Sequence, residues 1–305
     1  MAITVESFMP DLSGRVALVT GGYAGLGFGT SIELARKGAR VYIAGRSESK
    51  YQETVQNIIA EYPAADVRFL PLDLTDLGSV SRAAGAFMQQ ESRLNLLVNN
   101  AGVMCTPYEE TKDGFEMQIA VNYISHFLLT KLLLPCMLKA AEGSPAGTVR
   151  VVNVSSDGHE KLAPKRGIIF EDTNLRDDYS VWARYGHSKL ANVLHAKELA
   201  RRYPSIISVS VHPGTVKTNL SQGPLSSTPL YRFVKPLVEL GAPGPRKGAA
   251  NILFAAVSRS LSSSDNGGYF LPVGIKTKAS RSGENSEMAQ KLWEWTEEEM
   301  RKRSY

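Results

Sequence analysis

The 305-residue chain holds only two cysteines, Cys105 and Cys136, so no disulfide framework is available to it. Sparse thiols suit a reducing compartment, and a cytoplasmic location is expected. Cys136 falls in an apolar helical pattern and reads as a small core residue. Cys105, just beyond an Asn-Asn-Ala-Gly turn, reads as a passive neighbour of a ligand. Basic runs are missing too. Lys and Arg number 35 against 30 Asp and Glu, a formal charge of +5 without the clustering that tracks a phosphate backbone, so no nucleic-acid partner is expected. The basic residues Arg301 to Arg303 follow Glu297 to Glu299 and read as a solvated helix end. Met1 to Leu12 lack the basic start and apolar core of a secretory signal. The longest apolar helical pattern, about His126 to Leu138, is short and interrupted for a bilayer crossing, so no membrane span is expected. There is no internal repeat, no low-complexity tract and no linker. A chain that is 43% hydrophobic and 21% charged is expected to form one large domain over residues 1–305.

What is present alternates. Arg15 to Thr20 is a short β-branched apolar run, read as a buried strand. Gly21, Gly22, Tyr23, Ala24, Gly25, Leu26 and Gly27 follow at once, and a helical pattern runs from Phe28 to Lys37. Strand, glycine turn and helix together make a phosphate site, because glycines let the backbone approach a pyrophosphate and a helix N-terminus offers free N–H groups. A second strand, Arg40 to Gly45, ends at Arg46. A carboxylate there would hold a ribose 2′-hydroxyl; no acid occupies the tip, and arginine suits the 2′-phosphate of NADP. A third strand, Val67 to Leu72, ends at Asp73 and Leu74. Asp73 can accept from an adenine amino group or cap the next helix. A fourth, Leu94 to Asn99, leads to Asn100, Ala101 and Gly102, a turn where a cofactor ring can pass close to backbone. Strands alternating with helices argue for a parallel sheet covered on both faces.

Asn122 lies inside a helical pattern read from Thr111 to Ala140, where asparagine is unfavourable unless its amide has a task. A fifth strand, Val149 to Val154, ends in Ser155 and Ser156, and a hydroxyl at the carboxyl end of a central strand faces the ligand crevice. His159 reads as a loop histidine. Tyr185 and Lys189 stand four apart at the start of a helix running to Arg202, which puts them on one face about 5–6 Å apart at Cβ. A nearby cation favours the phenolate and lowers a tyrosine's ordinary pKa of about 10, so the pair is an acid–base device for a hydroxyl or carbonyl. A sixth strand, Ile206 to Val211, is closed by His212 to Thr218. Asn219 to Pro245 has the composition of a lid over a pocket. A helix at Lys247 to Ser258, a strand near Tyr269 to Val273 and a helical tail over about 284–303 complete the chain.

In this order and spacing, T-G-G-Y-A-G-L-G, N-N-A-G, Asn122, Ser156, Y-G-H-S-K and H-P-G-T-V-K-T resemble the short-chain dehydrogenase/reductase family over roughly residues 12 to 275, and within it the retinol-dehydrogenase-like branch. The resemblance implies a Rossmann fold, α/β, with a doubly wound, mostly parallel seven-stranded sheet in a three-layer α/β/α sandwich. It implies Tyr185 as catalytic acid/base, Lys189 as the cation that tunes it and holds the nicotinamide ribose, Ser156 on the substrate oxygen and Asn122 anchoring a water relay to Lys189. It places Gly21, Leu26 and Gly27, with Tyr23 and Gly25 in the same turn, at the pyrophosphate, Asp73 at adenine and Asn100 near the adenine-side ribose. Val216 and Thr218 go to the carboxamide, and Lys131 is carried over to the cofactor site. Tyr23 departs from the family pattern, where a small polar residue is common. The expected activity is NADP(H)-dependent reduction of a carbonyl or oxidation of an alcohol in a small apolar or aromatic molecule, polyketide-type or retinoid-like. Leu225, Leu230, Tyr231, Phe233 and Val234 of the expected lid suggest that substrate class. No metal is expected, and a homo-oligomer is compatible with the sequence. Two alternatives stand beside it. One is a catalytically silent nucleotide-binding scaffold, which the intact Asn122, Ser156, Tyr185 and Lys189 argue against. The other is a sugar-nucleotide epimerase, which the glycine spacing argues against.

Overall fold

Eight strands form one sheet in a computed structural model that describes residues 4–176, 178–216 and 241–305. The strands are β1 (Val16–Thr20), β2 (Arg40–Gly45), β3 (Val67–Pro71), β4 (Leu96–Asn99), β5 (Arg150–Val154), β6 (Ile207–Val211), β7 (Tyr269–Leu271) and β8 (Ile275–Thr277). Their order is β3-β2-β1-β4-β5-β6-β7-β8, parallel throughout except for β8, which pairs antiparallel with β7. The order reverses between β1 and β4, and in sheets of this kind ligands bind at the carboxyl ends beside that switch. Sequence reading counted seven strands. The eighth has no apolar signature, since Ile275, Lys276 and Thr277 are all exposed, and nothing in its pattern announces a strand.

Alternation along each strand sends its side chains to opposite faces. Leu18, Tyr42, Leu97 and Val151 pack on one side with residues of α3 (Leu77–Gln90), α4 (Ser125–Glu142), α5 (Val181–Arg202) and the C-terminal α7 (Ser286–Lys302). Ala17, Val19, Ile43, Val98 and Val209 pack on the other with α1 (Gly25–Arg36), α2 (Glu48–Glu61) and α6 (Ala250–Val257). The result is three layers, as expected from the sequence.

The apolar run about His126 to Leu138 lies inside a longer helix, which begins later than the Thr111 to Ala140 pattern suggested. Met117–Glu142 is continuous, and by length and hydropathy it could cross a membrane, yet 83% of its most apolar window is buried inside the fold, as a core helix would be. It does not start at Thr111. Buried Glu116 caps it, accepting from Gln118 N at 2.9 Å and Ile119 N at 3.0 Å. α7 closes the layer over α4 and α5. Trp293, 3% exposed, sits edge-on to Phe127 with ring centroids 4.8 Å apart, and the Arg202 guanidinium lies 5.0 Å above its ring. Removing this indole leaves a large hole: Trp293→Ala is expected to cost about 3–5 kcal/mol in denaturant unfolding.

Candidate active site

The turn after β1 is built for a close ligand. Gly21 has φ +64° and Gly25 φ +50°, the left-handed region that glycine enters without strain. A Cβ on Gly27 would stand 2.2 Å from the Gly21 carbonyl oxygen and 2.6 Å from Asn100 Nδ2, so only glycine fits. α1 then begins at Gly25 with Ala24 as its N-cap, and no side chain caps it. Its first N–H groups therefore face the crevice with the positive end of the helix dipole, which suits the pyrophosphate of a dinucleotide. The donor set and the cradle that a Cβ would fill both fit such a cofactor.

β4 delivers the opposite wall. Asn100 N and Ala101 N both donate to Thr20 Oγ1 at 2.9 Å, and Asn100 Nδ2 donates to Thr20 O at 2.8 Å, which fastens this turn to the end of β1. Asn122 grips the next residues: its Oδ1 accepts from Val103 N at 2.8 Å and its Nδ2 donates to Val103 O at 2.9 Å and to Ser188 Oγ at 2.9 Å. Asn122 can do so because Ala120–Ile124 is a π-helical turn, where the extra residue re-aims side chains. The task that an asparagine inside a helix demanded is this clamp.

Ser156 follows β5, and Tyr185 and Lys189 stand on the first turns of α5, whose N-cap Ser180 accepts from Ala183 N at 3.1 Å. Lys189 Nζ lies 5.7 Å from the centroid of the Tyr185 ring, so the two share one face of the helix. Nζ donates to Val154 O at 3.0 Å, which draws the ammonium to the end of β5. It also lies close to Gly102, where an added Cβ would meet it at 3.5 Å. The pair therefore stands beside the crevice bounded by the glycine turn. Ser156 Oγ donates to Asp157 Oδ1 at 3.1 Å and accepts from Gly158 N at 3.1 Å.

Protonation differs from what the spacing suggested. The sequence led to a phenol made acidic by its lysine. Here burial pushes the Tyr185 phenol well above its ordinary value, opposed by a hydrogen bond with Ser156, with Cys105 and Asp157 pushing the same way as burial. Burial also drives Lys189 down, to about 8. In so dry a place desolvation outweighs the pair's attraction, and each group is pushed towards its neutral form. A neutral phenol is the proton-bearing form, suited to act as an acid.

Comparison with known proteins agrees with this geometry. Residues 15–166 match the model of the short chain dehydrogenase family. The chain is 47% identical to the short-chain dehydrogenase/reductase drtF of Aspergillus calidoustus over 99% of both chains. The chain belongs to the short-chain dehydrogenase/reductase family. Within that family it is 39% identical to retinol dehydrogenase 11 of Mus musculus, over 93% of this chain and 85% of the mouse protein, in keeping with the retinol-dehydrogenase-like branch. Among solved structures, an uncharacterized protein from Mycobacterium paratuberculosis superposes with TM-score 0.76 at 32% identity, covering 99% of this chain and 98% of its own. An NADPH-bound carbonyl reductase from chicken fatty liver superposes with TM-score 0.67 at 25% identity, covering 92% and 99%.

Not every expected residue of this family member reaches the crevice. Lys131 is the correction: its ammonium pairs with Glu297 of α7 at 3.0 Å, on the side of α4 that faces the C-terminal helix. Arg46 is exposed at the tip of β2. Tyr23 lays its ring on that tip, where a Cβ on Gly45 would meet Tyr23 Cε1 at 2.3 Å. Asp73 Oδ1 accepts from Thr75 N at 2.9 Å and Thr75 Oγ1 at 2.8 Å, so the carboxylate shapes its own turn, and Asp76, not Asp73, precedes α3. Leu74 is buried and its carbonyl accepts from Ser125 Oγ at 2.7 Å. Val216 packs against Gly248. Thr218 and the lid residues Leu225, Leu230, Tyr231, Phe233 and Val234 lie outside the described residues. Cys105 is buried close to Tyr185, its thiol pushed up to about 12, which leaves it inert. His159 Nδ1 donates to Ser156 O at 2.7 Å and its Nε2 accepts from Ser280 N at 3.0 Å, a structural role. Sequence reasoning overlooked Thr20, His126 and Ser188. His126 stands four residues after Asn122, and that spacing was the available signal.

Proposed function

We propose that this oxidoreductase transfers a hydride between NADP(H) and the carbonyl or alcohol carbon of a small apolar or aromatic molecule, retinoid-like or polyketide-type. The observation that carries the reading is the gathering of Ser156, Tyr185, Lys189 and Asn122 beside an uncapped helix N-terminus and a glycine-only turn. The bound nicotinamide supplies or receives the hydride. In reduction, the Tyr185 hydroxyl gives its proton to the substrate oxygen while the Ser156 hydroxyl, turned from Asp157 Oδ1, donates to the same oxygen, so charge growing there meets two donors. In oxidation the direction reverses, and the Tyr185 oxygen receives the alcohol proton. Lys189 supplies a positive charge that favours the phenolate as it forms. The Asn122 clamp on Val103 keeps the β4 wall at fixed distance from α5, which holds donor and acceptor carbons at near-attack range, ~3–3.5 Å.

NADP over NAD is supported by Arg46 and by the lack of an acid at the tip of β2. The carbonyl reductase solved with NADPH lends it further support. A lipid-like alcohol or aldehyde is supported by the relative named for retinol. The two buried cysteines, not joined in a disulfide, support a reducing compartment such as the cytosol. Steady-state rates with NADPH and NADH over a panel of apolar aldehydes and ketones test the reading. NADPH is expected to be preferred, and Arg46→Ala to reduce that preference by at least about tenfold, the worth of a charge-assisted phosphate contact of 1.5–3 kcal/mol. A wild-type preference for NADH would overturn the assignment of Arg46.

A further inference from the structure

An unbroken hydrogen-bonded path runs from the glycine turn to the backbone of the catalytic tyrosine, and its middle member has no role in the chemistry above. Thr20 Oγ1 lies 2.8 Å from His126 Nε2, and His126 Nδ1 lies 3.1 Å from the Asn122 carbonyl. Asn122 Nδ2 donates to Ser188 Oγ at 2.9 Å, and Ser188 Oγ donates to Tyr185 O at 2.8 Å. The path crosses from β1 to α5 through the covalent frame of Asn122 in the π-helical turn.

Its polarity follows from what each atom can do. A carbonyl only accepts, so His126 Nδ1 must carry the proton. Thr20 Oγ1 already accepts from Asn100 N and Ala101 N, so its single proton is left to give. Two acceptors compete for it: His126 Nε2 at 2.8 Å and Val98 O at 3.4 Å, and the nearer wins. An Nε2 that accepts while Nδ1 donates is a neutral ring in one tautomer. The surroundings agree. His126 is 1% exposed, burial holds it down to about 4, and Lys189 repels a second charge there.

We propose that His126 is a positioning residue for hydride transfer: as a fixed Nδ1–H tautomer it ties the Thr20 hydroxyl at the head of the glycine turn to the Asn122 carbonyl, so that the cofactor wall and the tyrosine helix keep one register. This rests on the reductase reading above. Thr20 organises the β4 turn, Asn122 clamps Val103, and His126 is the only side chain among the described residues that bonds both. Losing the tie misplaces donor and acceptor, and a 1 Å error in such a geometry costs up to about a hundredfold in rate.

The test uses the full chain. Tautomer and charge are read by 15N NMR of histidine-labelled wild type, where His126 is expected to show a neutral, Nδ1-protonated ring that does not titrate between about pH 5 and pH 9, given a value of about 4. An Nε2–H tautomer or an imidazolium at this site overturns the proposal. It does so even if no carbonyl substrate is ever turned over, which separates its failure from failure of the reductase reading. Kinetically, His126→Gln keeps an acceptor near Thr20 and His126→Asn a donor near Asn122; His126→Phe keeps neither. Turnover per NADPH-binding site is expected to fall about tenfold to a hundredfold in His126→Phe, with partial recovery in His126→Asn and little change in cofactor affinity. Thr20→Val added to His126→Phe should cost little more than Thr20→Val alone, which also removes the acceptor for Asn100 N and Ala101 N. A purely structural histidine would lower the number of NADPH-binding sites and leave turnover per site within about twofold of wild type, and additive losses in the double variant would mean no tie at all.

Discussion

Tyr185→Phe is expected to lose about a hundredfold to ten-thousandfold in turnover while still binding NADPH. The substitution removes one oxygen and keeps the ring, so the buried site, 5% exposed in the native chain, stays filled. What disappears is the proton donor that both meets Ser156 and shares its helix face with Lys189. A loss in kcat with unchanged cofactor affinity marks an interaction made in the transition state. Steady-state kinetics together with NADPH titration by fluorescence separate the two quantities. Near-normal turnover would mean that the proton comes from elsewhere.

Gly27→Ala is expected to abolish dinucleotide binding. The added methyl would stand 2.2 Å from one backbone oxygen and 2.8 Å from the Gly21 carbonyl carbon, and backbone cannot swing aside as a side chain can. The turn must open, and forcing atoms into packed space costs about 1–3 kcal/mol or more. Opening also turns the first N–H groups of α1 away from the pyrophosphate. Gly85→Ala is the control. Nothing lies within 4 Å of a Cβ there, in the middle of α3, so stability should rise by up to about 1 kcal/mol with cofactor affinity unchanged. NADPH affinity and thermal unfolding of both variants decide it. Tight NADPH binding by Gly27→Ala would contradict the cradle.

The glycine turn, the strand-end serine and the Tyr–Lys pair were legible because each rests on local spacing: a period of two along strands, three to four along a helix, and glycine where a chain must turn sharply. β8 was not, because an exposed three-residue edge strand carries no hydrophobic pattern. Lys131 misled for a related reason. Its place on α4 depends on α7, which returns from far along the chain and offers Glu297. The π-helical turn at Asn122 left a trace, an asparagine where a helix tolerates one poorly, but its geometry needed the partners Val103 and Ser188. The Tyr185 proton was misjudged because proximity can be read from spacing while depth of burial cannot. Burial is set by segments far apart in sequence, Cys105 after β4 and Gly158 after β5 against the Tyr185 ring, and it raises the phenol despite the ammonium.

Lys189 offers the sharpest check. Its ordinary value of 10.5 is depressed to about 8, so between those limits the unfolded chain holds the extra proton and wild-type stability rises with pH. At neutral pH the buried ammonium costs on the order of 3 kcal/mol, taking 1.36 kcal/mol per unit. Lys189→Met should therefore unfold at a higher temperature at pH 7, with the advantage shrinking above about pH 8. The decisive measurement is the single-turnover rate of carbonyl reduction by enzyme-bound NADPH as a function of pH, in wild type and in Lys189→Met. Wild type should hold a plateau and decline above about pH 8 as the ammonium is lost, while the variant is slow and flat across that range. A wild-type profile without that break, or the same break in the variant, would contradict a buried phenol and ammonium acting together in proton transfer.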